Sequence, residues 1–204
     1  MTRNSKDTGA VCNAWDYTDC KGTEYCPPRC PRFFDTEGTA LLIKPYEPDH
    51  WKVLVEMYED IDTYSRTLGL PPSSSERIKE WLAHLTSNGW NLVAVDCDDI
   101  IGHIAAAPLD GDEPGFVVFV HQTYQNRGVG TELIKHLIAH ADDRGHKALT
   151  LTVASGNRRA ITVYDNIGFD VTERLPSEIT MRLSIDDSIA KQAQLPPVEQ
   201  NQHH

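Results

Sequence analysis

Two hydrophobic periods alternate along this chain, and one junction between them organises the rest. Residues 116–120 (FVVFV) are five consecutive apolar positions, the pattern of a strand buried on both faces. A loop follows and ends in Gln125-Asn126-Arg127-Gly128-Val129-Gly130. The period then changes. Val129, Leu133, Ile134, Leu137, Ile138 and Ala141 share one helical stripe, with Glu132, Lys135, His136, Asp142 and Asp143 largely outside it. Gly145 suits the end of that helix. The junction reads as strand, glycine-bearing turn, helix.

The flanking patterns fill in the order of elements. Residues 40–45 (ALLIKP) read as a strand stopped by Pro45. Over 47–68, Trp51, Leu54, Val55, Tyr58 and Ile61 recur at helical spacing, and Glu56, Glu59, Asp60 and Asp62 make an acidic face. That is one helix or two. Gly69-Leu70-Pro71-Pro72 is a break. The serines at 73–75 signal a new helix start, with Ile78, Trp81, Leu82 and Leu85 on its apolar stripe. Residues 90–95 and 100–107 form a predicted hairpin, in which Cys97 reads as a small buried residue. After the central helix come a strand at 148–153, a short helix at 157–167 ended by Gly168, and strands at 169–172 and 179–183. The order is β-α-α-β-β-β-α-β-α-β-β. An antiparallel half joined to a βαβ crossover implies an α/β (α+β) fold, a mixed sheet with helices on both faces.

Glycines at a helix start have a chemical meaning. The first helical N–H groups lack intrahelical partners and, with the helix dipole, form an anion site. A residue without Cβ lets phosphate oxygens approach the backbone. Arg127 adds a fork of donors and a positive charge. The expected ligand is a phosphate or pyrophosphate. The dinucleotide spacing is absent, because Thr131-Glu132-Leu133 follow Gly130, and no G-K-[ST] follows to make a P-loop.

The pattern Gln-x-x-Gly-x-Gly at a strand-to-helix junction resembles the acetyl-CoA signature of the GNAT acetyltransferases. A second stretch, Asn157-Arg158-Arg159-Ala160-Ile161-Thr162-Val163-Tyr164-Asp165-Asn166-Ile167-Gly168-Phe169, is similar to that family's Asn…Ala…Tyr…Gly-Phe segment. The resemblance covers about residues 40–183. It implies a central sheet splayed at the cofactor site and acetyl transfer from acetyl-CoA to an amine, by direct attack in a ternary complex. Val118, Phe119 and Val120 would offer backbone groups to the pantetheine arm. Gln125, Asn126, Arg127, Gly128, Val129, Gly130 and Thr131 form the implied pyrophosphate loop. Asn157 would bond the arm or cap its helix, or do both. Tyr164 would protonate the leaving thiolate, and a backbone N–H near Val120 would stabilise the oxyanion. The general base is harder to place. Positions where the family often carries a Glu hold Phe116, Val118, Thr150 and Thr152 here. Glu113 is one candidate, and His103 and His121 lie near the site by topology. The competing reading is a non-catalytic acyl-CoA sensor or interaction module.

Composition bounds the partners. The 204 residues carry 30 acidic against 19 basic side chains, a net charge of −11. That disfavours nucleic acid, which needs a basic face. It does not exclude a basic or amine-bearing acceptor, and a small-molecule or protein amine stays open. No apolar stretch reaches the roughly 18 residues of a membrane span, and the first residues lack a signal-peptide core. A cytoplasmic location and no membrane partner are therefore expected.

Four of the five cysteines, Cys12, Cys20, Cys26 and Cys30, fall in the first 30 residues at spacing C-x7-C-x5-C-x3-C. A segment this small needs a staple. Either one structural zinc on all four thiolates or two disulfides in one of three pairings would serve, and a reducing compartment favours the metal. Residues 1–37 thus read as a cysteine-rich extension, 38–184 as the main domain, and 185–204 as a mobile tail. The aromatic, proline-rich extension suits the cover of an exposed sheet edge or of a neighbouring subunit in a homodimer. Both remain open.

Overall fold

The computed structural model describes residues 23–26, 28–62, 71–108, 110–186, 188 and 192. Cys12, Cys20, the expected helix beyond residue 62 and nearly all of the C-terminal tail lie outside these residues. One eight-stranded sheet carries the fold, in the order β1-β2-β3-β4-β5-β6-β8-β7. Its strands are β1 (Arg32–Phe34), β2 (Ala40–Pro45), β3 (Trp90–Asp96), β4 (Asp99–Ala107), β5 (Gly115–Val120), β6 (Ala148–Ala154), β7 (Asp170–Arg174) and β8 (Glu178–Ser184). All neighbours are antiparallel except β5 and β6.

Helices α1 (Trp51–Asp60) and α2 (Ser75–Asn88) pack on one face, and α3 (Val129–Arg144) and α4 (Arg158–Ile167) on the other. Each starts or stops where local chemistry dictates. Ser74 caps α2 by accepting from the Arg77 N–H. Gly145, at φ 79, ends α3, and Gly168, at φ 107, ends α4. Leu54, Tyr58, Ile78 and Leu82 fill the α1/α2 layer against Val93 and Val95. Leu133, Ile134, Leu137 and Ile138 of α3 fill the other, against Leu92, Ile104 and Leu151. β3 is therefore covered on both faces, which explains its unbroken apolar reading.

Two expectations change. Residues 32–34 lie in the stretch read as a separate extension, yet they join the sheet, pairing with Ala40–Leu42. Phe33 is buried in the core beneath them. Cys97 is exposed rather than buried, because it occupies the β3–β4 turn at φ 53.

Candidate functional site

β5 and β6 share one parallel bridge, Gly115 to Thr150, with the Thr150 N–H donating to the Pro114 carbonyl at 3.1 Å. Past that bridge the strands part, and a cleft of about 1200 Å³ opens between them. Val117 to Val120 form one wall, Leu151 to Ala154 the other, and Tyr164 lies among the lining residues. The pairing with β4 decides which backbone groups face the gap. The His121 N–H donates to Ile101, and hydrogen bonding in an antiparallel ladder alternates. Residues 117, 119 and 121 therefore turn their polar groups to β4, and 116, 118 and 120 turn theirs toward β6. The Val120 carbonyl already accepts from Gln125 Nε2 at 3.0 Å. Val118, with both groups, and the Val120 N–H are what the strand presents. Phe119, expected to offer backbone as well, is committed to the β4 ladder. Its ring packs edge-on against Tyr58 and Trp81 on the α1/α2 face.

The cleft's mouth is the loop from β5 to α3. A 3₁₀ turn at Gln122–Tyr124 leads into it. Asn126 (φ 64) and Gly128 (φ 86) are both left-handed. Such turns gather successive N–H groups around one concavity, an anion cradle, here at the N-terminus of a sixteen-residue helix. A Cβ on Gly130 would stand 3.6 Å from Val120 Cγ2. It would fit the protein but occupy the space between helix start and strand. Asn126, Gly128, Val129, Gly130 and Thr131 all line the cleft.

Arg127 does not line it. Its Nε donates to Asp35 Oδ2 at 2.7 Å and its Nη2 to Thr39 Oγ1 at 2.8 Å, with Glu37 3.3 Å from Nη1. The guanidinium also lies over the Tyr124 ring, 4.5 Å from its centre. Asp35 is fully buried. Burial alone would raise its pKa, but the Thr39 amide, Arg127 and the Glu37 amide overcome that and leave it lowered. The positive charge expected at the phosphate site is thus already neutralised behind the loop.

Tyr164 is buried and meets Phe116 and Phe169 edge-on, at 6.1 and 5.9 Å. Burial pushes its pKa up to about 12, so the phenol keeps its proton at neutral pH. Asn157 caps α4, its Oδ1 accepting from the Ala160 N–H at 3.1 Å, and it too lines the cleft.

The candidate bases fare differently. Glu113 lies before β5, at the end where β5 and β6 are still paired, outside the cleft lining. Both its oxygens accept from Arg182, each at 2.9 Å, which lowers its pKa. That geometry removes it as a base at the cleft. His103 is fully buried between the Tyr58 hydroxyl and Asn91 Oδ1, and burial pushes its pKa down to about 3. His121 is held by Asp60 and Thr123, both at 2.8 Å. Among the described cysteines, Cys26 is hydrogen-bonded to Cys30 and to Thr23. The Cys30 contact is the main cause lowering its thiol pKa to about 5.

A glycine cradle at a helix start, opening onto two splayed parallel strands, matches the outline of a known family. The acetyltransferase (GNAT) family model matches residues 51–169. The chain belongs to the GNAT family. Among solved structures, the GNAT domain of S. lividans PAT superposes with a TM-score of 0.66 at 20% identity, covering 75% of this chain and 95% of that one. YncA from Salmonella typhimurium, solved with its cofactor acetyl-CoA, gives 0.59 at 18%, covering 72% and 95%. At these identities the likeness is one of fold.

Curated relatives of this GNAT chain include the spore coat polysaccharide biosynthesis protein SpsD of Bacillus subtilis, 24% identical over 145 residues, 68% of this chain and 50% of that protein. The ribosomal protein bS18-alanine N-acetyltransferase of Escherichia coli K12 is 38% identical over 55 residues, 27% of this chain and 37% of the enzyme. The L-amino acid N-acyltransferase MnaT of the same strain is 32% identical over 115 residues, 43% and 67%. The chain spans half or less of the length of the first two. Among the described residues no helix is long and apolar enough to cross a membrane.

Of two further lining residues, Arg159 carried no weight in the sequence reading, and Asp62 entered it only as part of the acidic face of residues 47–68. Arg159, on α4, is the only cationic side chain among the described lining residues, and Asp62, just past α1, the only carboxylate. Arg159 sits inside the second family-like stretch at a position where nothing distinguishes it from a solvated helix residue.

Proposed function

We propose that this chain transfers an acetyl group from acetyl-CoA to a primary amine by direct attack in a ternary complex. The observation that carries the reading is the single Gly115–Thr150 bridge, beyond which β5 turns a row of backbone groups into an open cleft. The cofactor supplies an activated thioester carbonyl and a good leaving thiolate. Everything else is asked of the protein. The amides at the start of α3 hold the pyrophosphate, through the left-handed residues Asn126 and Gly128. Val118 and the Val120 N–H pair with the extended arm as a neighbouring strand would. Asn157, its Oδ1 spent on the helix cap, has its amide N–H₂ to give.

The reacting end lies deeper than Val120. The Tyr164 ring packs against that of Phe116, four residues before Val120 on the strand, and each residue advances about 3.3 Å. The Val118 N–H, rather than that of Val120, then faces the oxygen on which charge develops. The Tyr164 phenol, neutral at pH 7 and held further from ionising by burial, donates its proton to the departing sulfur, and the proton shed by the attacking nitrogen restores it. Asp62 stands on the α1 side, where a cationic amine would enter.

The scarcity of bases favours one further reading. Asp62 is the sole carboxylate among the described lining residues, and no histidine joins it, as a non-catalytic acyl-CoA sensor would have it. Purified protein, acetyl-CoA and a panel of polyamines, amino acids, aminoglycosides and lysine or N-terminal peptides, read by mass spectrometry, separate the two. An enzyme adds one acetyl group to one class. Tight acetyl-CoA binding with an unchanged panel favours the sensor.

A further inference from the structure

The turn from Asp35 to Thr39 precedes the family-matched residues 51–169, yet it is bound to the back of the cofactor loop at several points. The Thr36 N–H donates to the Arg127 carbonyl at 3.1 Å. The Thr36 methyl stands 4.0 Å from where a Cβ on Gly128 would lie. Asp35 Oδ1 accepts from the Glu37 and Thr39 amides at 2.9 and 2.8 Å, which fixes the carboxylate. Its Oδ2 then takes Arg127. On the far side of the guanidinium, Tyr124 is pinned in turn by Asp96, 2.7 Å from its hydroxyl. Apart from a long contact from Nη1 to the Thr123 carbonyl at 3.5 Å, the hydrogen bonds of Arg127 tie its loop to the turn from Asp35 to Thr39, beside the residues that are left-handed, Asn126 and Gly128.

We infer that Asp35, Thr39 and Arg127 are positioning residues for cofactor binding, a clasp that holds the pyrophosphate loop in its anion-binding shape from behind. The inference rests on the function proposed above. Asn126 is of a residue type that reaches the left-handed region more readily than most, but unlike glycine it meets a steric cost there. The clasp restrains both sides of it: Arg127 is tied to the N-terminal turn by its carbonyl and its guanidinium, and Tyr124 is sandwiched between Arg127 and Asp96. Arg127 acts here as a planar fork with two fixed partners, not as a point charge. Lysine can supply the charge but not the fork.

That distinction gives the test. Acetyl-CoA and acetyl-pantetheine, which lacks the pyrophosphate, are titrated into wild-type protein and into Arg127→Lys, Asp35→Asn and Thr39→Val, with thermal melts to check folding. Arg127→Lys and Asp35→Asn are expected to raise the acetyl-CoA Kd about tenfold and Thr39→Val about threefold, the cost of one or two lost hydrogen bonds transmitted to the loop. Acetyl-pantetheine affinity should not move in any of them, and kcat at saturating acetyl-CoA should stay within a factor of two of wild type. A merely structural role would lower the melting temperature without this split between the two ligands. Wild-type affinity for acetyl-CoA in Arg127→Lys would overturn the clasp, because charge alone would then suffice. Equal losses for both ligands would overturn it too. If wild-type protein binds neither ligand, the proposed function fails first. Thr39→Val, which removes only the hydroxyl contact to Arg127, keeps the test readable should Asp35→Asn not fold.

Discussion

The two sides of the β5–α3 loop are built from opposite materials. The side facing the cleft is backbone: amides at a helix start, shaped by left-handed Asn126 and Gly128 and kept open by the missing Cβ of Gly130. The side facing away is side chain: Arg127 wedged between Tyr124, Asp35 and Thr39. A pyrophosphate asks for many donors in a tight curve, which backbone supplies with little entropy to lose. Holding that curve asks for reach across the fold, which long side chains supply. In the proposed function ligand recognition and loop support are thereby separated, and changes on the two faces should differ in kind.

The largest effect is expected at the inner end of the cleft. Tyr164→Phe should lower kcat by about 10²-fold, the ordinary worth of a positioned proton donor, while acetyl-CoA affinity measured by calorimetry stays unchanged. Because the phenol titrates only near pH 12, wild-type kcat should also show no loss from this group up to about pH 10. A basic limb that vanishes in Tyr164→Phe would mean that the hydroxyl ionises much earlier.

On the cleft face of the loop, Gly128→Val places a β-branched residue at φ 86. Strain of about 1–3 kcal/mol is expected, read as a tenfold to hundredfold rise in the acetyl-CoA Kd. Retained affinity would show that the loop need not be left-handed there, and the contrast between the faces would collapse.

A smaller, separate effect concerns the opposite face of the sheet. His103 titrates near 3 in the folded chain, against an ordinary value of 6.5. Its neutral form donates to Asn91 and accepts from Tyr58. The stability this contributes is fully present above about pH 6.5 and is lost as pH falls toward 3, by up to about 1.4 kcal/mol per pH unit. Urea midpoints at pH 7 and pH 5 should diverge, and His103→Gln should flatten the trend. Acetyl-CoA affinity should not change in His103→Gln at either pH, because none of His103, Asn91 and Tyr58 lines the cleft. Least of all is expected from Glu113→Gln. Its partner Arg182 is half-exposed and the pair is screened by solvent, so stability should hardly change, with kcat unchanged. A large loss of turnover would restore Glu113 as a base.

The contrast between the faces also explains what the sequence could show. The cleft face was legible because its determinants are local: an apolar run, two glycines and a helical stripe lie within 30 residues. Order of strands, both family-like stretches and the capping Asn157 followed in the same way. Arg127 lies outside the cleft lining, which the sequence does not show, because a cation beside an anion site looks the same whether it serves the ligand or the scaffold. Its partners, Asp35 and Thr39, stand 92 and 88 positions away. The three-residue strand β1 is too short to display a period. Phe119 was grouped with Val118 because alternation is visible in sequence but its phase is not, until the register with β4 is known. Glu113 adjoins the right strand, but nothing local says which end of that strand is open.

The proposed function has backbone amides at the α3 start hold a pyrophosphate at the mouth of the β5–β6 cleft. Calorimetric titration of the wild-type protein with acetyl-CoA and with acetyl-pantetheine decides whether they do. Saturable acetyl-CoA binding is expected, with at least about tenfold weaker binding of the fragment, a difference of about 1.4 kcal/mol or more. Equal affinity for the two, or no binding of acetyl-CoA, would contradict it.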